Sequence, residues 1–160
     1  MAVDMFLKLD GIDGESVDNT HADSIDILAW SWGMSQSGTT HIAKGGGAGK
    51  VNVQDVNITK YVDKSTPTLM SKIATGEHIP TATLTVRKAG KDPLEYVVIV
   101  MEDVLVSSLS TGGSGGEDRL TENLTLNFAR VKTSYVPQKA DGTGDPAVEF
   151  GHDIAKNVPM

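Results

Sequence analysis

Apolar and polar residues alternate with period two along most of the chain, the spacing of strands that bury one face. Val3, Met5, Leu7 and Leu9 alternate with Asp4, Phe6 and Lys8 and predict an N-terminal strand. Turn chemistry over 12–20 separates it from a long strand over 24–37. There Asp26, Leu28, Trp30, Trp32 and Met34 share one face, with the tryptophans expected in the core, and Ile25, Ile27, Ala29, Ser31 and Gly33 share the other. A strand over 51–60 changes parity, because Val51 and Val53 point one way and Val56 and Ile58 the other; a bulge near Gln54 and Asp55 explains the slip.

One segment breaks the period. Thr66 suits an N-cap, Pro67 the first helical position and Gly76 the C-terminal stop, while Leu69, Met70, Ile73 and Ala74 form an apolar stripe at helical spacing. This helix is expected to plug one opening or flank of the β structure. Ala82, Leu84 and Val86 then mark a strand, 89–93 a turn, and the nearly unbroken apolar run over 94–101 a strand buried on both faces. A bend at Glu102 and Asp103, a glycine-rich loop over 111–118 and a strand over 119–136 follow, the last with Leu120, Leu124, Leu126 and Phe128 on one face. A Pro/Gly/Asp tail precedes a short strand over 148–154. The fold class is mainly β: a small β-barrel or two-sheet sandwich with one short flanking α-helix, in a single domain over 1–160.

Composition narrows the chemistry. The chain has no cysteine, which excludes thiol catalysis, disulfides and Cys-ligated zinc. Its formal charge of −7 argues against a nucleic-acid partner, which needs clustered cations. No stretch approaches the length of a membrane helix, and Asp4, Lys8 and Asp10 interrupt the pattern a signal peptide would show, so synthesis in the cytoplasm without a signal peptide is expected.

The candidate catalytic motifs fail on context. Gly112, Ser114 and Gly116 match a nucleophile elbow, but an elbow needs a helix after the serine and the alternation here announces a strand. The glycines over 45–49 suggest a phosphate loop, yet Lys44 stands where its first glycine belongs and Val51 where a magnesium-holding hydroxyl belongs. His21, His41, His78 and His152 form no ligand pair and read as surface histidines; Glu102–Asp103 and Glu117–Asp118 read as solvated turn carboxylates. The sequons at Asn57 and Asn123 lie in strands and carry no modification expectation. No catalytic residue, metal or cofactor is expected.

Three segments are distinctive together: Trp30-Ser31-Trp32-Gly33-Met34-Ser35-Gln36-Ser37-Gly38, Lys60-Tyr61-Val62-Asp63-Lys64-Ser65-Thr66-Pro67, and 106–123 with its Gly112-Gly113-Ser114-Gly115-Gly116-Glu117-Asp118-Arg119-Leu120-Thr121-Glu122-Asn123 end. With Leu126-Asn127-Phe128, the N-terminal start and the 136–142 tail, they resemble the haemolysin-coregulated protein (Hcp) family, the tube subunits of bacterial type VI secretion systems. The resemblance implies a non-enzymatic homo-hexameric ring, stacked rings fired from a contractile sheath, a spike protein at the tip, effector proteins chaperoned in the lumen, and export into the medium or a target cell. It implies that Ser31, with Ala29 and Gly33 beside it, faces the lumen and contacts cargo. It also implies that the loop bearing Thr39, Thr40, His41, Lys44, Gly45, Gly46, Gly47 and Gly49 reaches an adjacent subunit or ring. The alternatives are a contractile-phage-type tail tube protein, a monomeric β-barrel around a small ligand, and a serine hydrolase acting through Ser114.

Overall fold

The computed structural model describes residues 3–38 and 49–160. Its elements are β1 (Val3–Leu9), β2 (Ile25–Ser31), β3 (Met34–Ser35), β4 (Asn52–Val53), β5 (Val56–Tyr61), α1 (Ser65–Thr75), β6 (Ile79–Lys88), β7 (Leu94–Thr111), β8 (Thr121–Tyr135), β9 (Val148–Asp153) and β10 (Val158–Pro159). β1, β2, β5, β8, β7 and β6 pair antiparallel in that order, and the β6–β1 and β7–β8 ladders close them into a six-stranded barrel. Closure leaves no apolar inner face open to water. Leu7, Leu9, Ile25, Ile58, Leu84, Ile99, Met101, Leu124 and Leu126 fill the interior. β9 and β10 continue the sheet from the second half of β8, and β3 with β4 forms a separate two-stranded ribbon.

The expected bend at Glu102 and Asp103 is shared by three strands. Inward residues there stand three apart instead of two: Ile79 and Ala82 on β6, Met101 and Val104 on β7, Phe128 and Val131 on β8. These residues face one another across the ladders, as Ile79 with Val104 and Met101 with Val131, so the three strands turn together without losing register. Asp103 takes the turn with a φ of 54°, a left-handed conformation that Asp tolerates better than most residues. Glu102 and Asp103 are therefore mid-strand, not turn residues; Glu102 pairs with Arg130 at 3.1 Å and Asp103 with His78 at 2.6 Å.

The parity slip falls at Gln54 and Asp55, but as a break and not a bulge: β4 ends at Val53 in the ribbon with β3, and β5 begins at Val56 in the barrel. The long strand over 24–37 is interrupted at Trp32 and Gly33, where β2 gives way to β3. A register shift between Ile27 and Ala29 also reorders its faces. Ile25 and Ile27 point into the core; past the shift, Trp30 and Trp32 pack against it, and Leu28 and Met34 are exposed. The tryptophans, expected in the core, are instead partly buried at its margin, and they do not share a face with Leu28 and Met34.

Helix α1 stops at Gly76, whose φ of 70° and N–H bond to the Lys72 carbonyl make a left-handed cap. Its start lies further back than expected. Lys64 occupies the cap position, the Asp63 carboxylate accepts the Ser65 N–H at 2.9 Å, and Thr66 is a buried first-turn residue. Pro67 sits within that turn, where its missing N–H is harmless. Of the stripe only Leu69 is buried; Met70 and Ile73 are exposed, because the helix meets the barrel along one narrow line against β7. On β7 itself Ile99 and Met101 are buried, and Val98 and Val100 on the outer face are half-buried, not fully covered.

Candidate functional site

Small polar residues cover the outward face of the sheet β2-β5-β8-β7 in two complete cross-strand rows. One row runs Ala29, Thr59, Asn123, Ser110; the next runs Ser31, Asn57, Thr125, Ser108. Residues opposite one another in register share a face, so tertiary pairing assembles this surface from four distant segments. It is largely self-satisfied. Thr59 donates to Asn123 Oδ1 at 2.8 Å, and the hydroxyls of Ser107 and Ser108 lie 2.7 and 2.6 Å from that of Thr125. Asp55 at the margin accepts from Ser107 at 2.6 Å and from Asn127 at 2.8 Å. Ser31 enters none of these pairs.

The same sheet has two open edges among the described residues. β6 leaves β7 after Val104, so 105–111 pair with β8 alone. β1 pairs with β2 only at Ile25 and Asp26, so 28–31 pair with β5 alone. Each edge presents N–H and C=O groups without a strand partner, the usual template for adding another chain.

A buried polar network fastens α1 to this sheet. Lys60 and Glu122 are partners across β5 and β8, fully buried and 2.5 Å apart. The Lys60 ammonium also donates to the Tyr61 carbonyl at 2.9 Å and to Asp63 at 3.1 Å, and Thr66 donates to Glu122 at 2.8 Å. Asp63 in turn accepts from the Ser65 N–H and hydroxyl. Glu122, not Leu120, continues the inward face of β8; Leu120 is exposed. The alternation passed over Glu122 because a charged residue does not announce itself as core.

Of the residues singled out from sequence, Ala29 and Ser31 are exposed on the polar face and Gly33 lies in the break after β2, where its carbonyl accepts the Gln54 N–H at 3.0 Å. Thr39, Thr40, His41, Lys44, Gly45, Gly46 and Gly47 lie outside the described residues. Gly49 is exposed, and a side chain there would meet the Ser37 hydroxyl. Ser114 sits in the loop joining β7 to β8, with a strand after it and no helix. Two histidines are partly buried, not free surface groups: His21 stacks on Phe6 at 4.5 Å, and the Nε2 atom of His152 is buried on β9. The sequence reading missed Asn57, Thr59, Asn123 and Thr125 as surface partners of Ser31, although both sequons had marked those positions as Asn-x-Thr.

The fold defines a small antiparallel β-barrel protein whose polar face lies between two open sheet edges able to take further strands. The model of the family described as "Type VI secretion system effector, Hcp" matches residues 6–135, and the chain belongs to that family. Protein hcp1 of Pseudomonas aeruginosa is 62% identical over 160 residues, 99% of each chain. Among solved structures, a type six secretion system protein superposes with a TM-score of 0.94 at 29% identity, covering 99% of this chain and 100% of that one. Hcp1 from Salmonella typhimurium gives 0.83 at 38% identity with both chains fully covered. The chain is therefore a secreted, non-enzymatic tube protein of the type VI system.

Proposed function

We propose that this chain forms hexameric rings that stack into the inner tube of a type VI secretion system, and that the face bearing Ala29 and Ser31 lines the lumen and contacts effector cargo. The observation that carries this reading is the four-stranded face bounded by the open edges of β2 and β7. Copies set edge to edge extend one sheet, and a constant rotation between them closes it into a circle. The two polar rows so enclosed carry no charged residue, and the Asp55 carboxylate at their margin is held by hydrogen bonds from Ser107 and Asn127. Rows of that kind offer hydroxyl and amide groups, not charge, to a passing chain. Gly33 borders the face, and the loop from Thr39 to Gly49 is assigned to contacts with the adjacent subunit or ring. The spike, sheath and effectors are the heterologous partners. Negative-stain electron microscopy of the purified protein, with its native mass, tests the reading: annular particles of six subunits support it, and a stable monomer at high concentration overturns it.

A further inference from the structure

The ribbon β3–β4 leaves the barrel at the break that ends β2 and returns to it where β5 begins. It consists of two pairs, Met34 with Val53 and Ser35 with Asn52, and among the described residues it forms no ladder with the barrel sheet. Met34, Ser35 and Asn52 are exposed, while Val53 packs on the core cluster. Two paired strands are at best marginally stable in water without a third strand or a packed face. The angle at which this ribbon stands is therefore set at its base.

Three ties meet there. The Gln54 N–H donates to the Gly33 carbonyl at 3.0 Å, and the Trp32 indole N–H donates to the Gln54 carbonyl at 2.9 Å. Both main-chain groups of Gln54 are thus held from the other side of the base. One residue on, the Asp55 carboxylate is fastened to the barrel by Ser107 on β7 and Asn127 on β8, at 2.6 and 2.8 Å. Trp32 stands on the barrel as well: it packs on the core cluster, and its ring lies 6.1 Å from that of Phe128 on β8. The ring belongs to the barrel, and its N–H reaches across to the ribbon. Packing leaves room for movement, because a cavity of about 100 Å³ lined by Val53, Gln54, Asn127, Phe128 and Ile154 lies beside this base.

We propose that β3–β4 is a hinged arm and that Trp32 is its latch. The indole N–H on the Gln54 carbonyl sets the arm's angle. When that bond opens, the arm swings as a unit about Gly33 and Gln54 while the barrel stays folded. An opening that exposes few apolar contacts and breaks mostly solvent-facing backbone bonds costs far less than global unfolding. Residues 39–48 join the two strands of the arm, so Trp32 governs the direction in which they are presented. That consequence rests on the reading that this segment meets an adjacent subunit or ring; the latch itself does not.

Amide exchange of the intact protein tests the latch. Trp32→Phe keeps an aromatic ring against Phe128 and removes the indole N–H. It is expected to speed exchange at the Met34, Ser35, Val53 and Gln54 amides about five- to tenfold and to leave Ile99 and Leu124 in the barrel unchanged. Gln54→Ala keeps both main-chain bonds and is expected to match the parent protein. Equal exchange in Trp32→Phe and the parent overturns the latch. Equal acceleration in the two variants overturns it too, since any change at the base would then loosen the ribbon. Acceleration that spreads through the barrel also overturns it, because Trp32 would then be an ordinary core residue. Under the electron microscope Trp32→Phe is expected to give the same single annular particles as the parent and several-fold fewer stacked ones. Faster exchange with unchanged stacking overturns the arm's part in that contact. A parent protein that forms no annular particles overturns the ring reading, and the exchange result still decides the latch.

Discussion

Among the described residues Lys60 is the largest fully buried side chain, and its charge is held by Glu122, Asp63 and the Tyr61 carbonyl. Breaking a buried pair from one side leaves an uncompensated charge in the interior, whereas replacing both partners by apolar groups removes the problem. Lys60→Met should destabilise the fold by about 3–5 kcal/mol, and Lys60→Met/Glu122→Leu by much less. Urea unfolding at one fixed protein concentration measures this without confusing folding with assembly. Arg87 beside Asp18 holds that carboxyl down, from 3.8 to about 2, with the His21 and Thr20 N–H groups adding to the effect. A carboxyl depressed in the folded state stabilises above its unfolded value, and that stabilisation disappears as the proton returns. The β1–β2 loop should therefore keep its anchorage down to pH near 3.8 and lose it as pH falls toward about 2. Amide exchange at His21 across that window should show the loss, and Asp18→Asn should abolish the pH dependence.

At the scale of elements, the helix is marked by its ends more than by its stripe. Gly76 at φ 70° is needed because any residue with a Cβ is strained there. Gly76→Ala should cost about 1 kcal/mol, read as a lowered urea midpoint with an unchanged slope. Met70 and Ile73 have the spacing of a buried face and are nevertheless exposed, since α1 meets β7 only through the line that contains Leu69. The strands were legible in position and parity: the slip at Gln54 and Asp55 and the bend at Asp103 are both visible as a break in alternation. The register shift after Ile27 was not, because Leu28 and Ala29 are each acceptable on either face. That shift brings Ser31 out beside Asn57 and turns Trp30 in.

For the whole molecule, closure and openness coexist. The barrel seals its apolar interior, yet β2 and β7 each outrun one neighbour and leave backbone groups for another chain. The proposed lumen lies between those edges, so a bulky side chain on the face should impede cargo while sparing assembly. Ser31→Gln is expected to form the same annular particles as the parent protein and to retain several-fold less co-produced effector. Equal retention by both would remove Ser31 from the cargo surface.

The order of residues by itself determined the class of fold, the sites of most strands, the one helix and its stop, and the family, because period and turn chemistry are local and the motif order is carried along the chain. It could not determine which strands become neighbours. Lys60 meets Glu122, and Ala29, Thr59, Asn123 and Ser110 line up in a row, only because pairing joins segments far apart in sequence. Alternation says which face a side chain takes but not what lies across from it. The polar rows, the buried ion pair and the open edges are all consequences of that choice of neighbours.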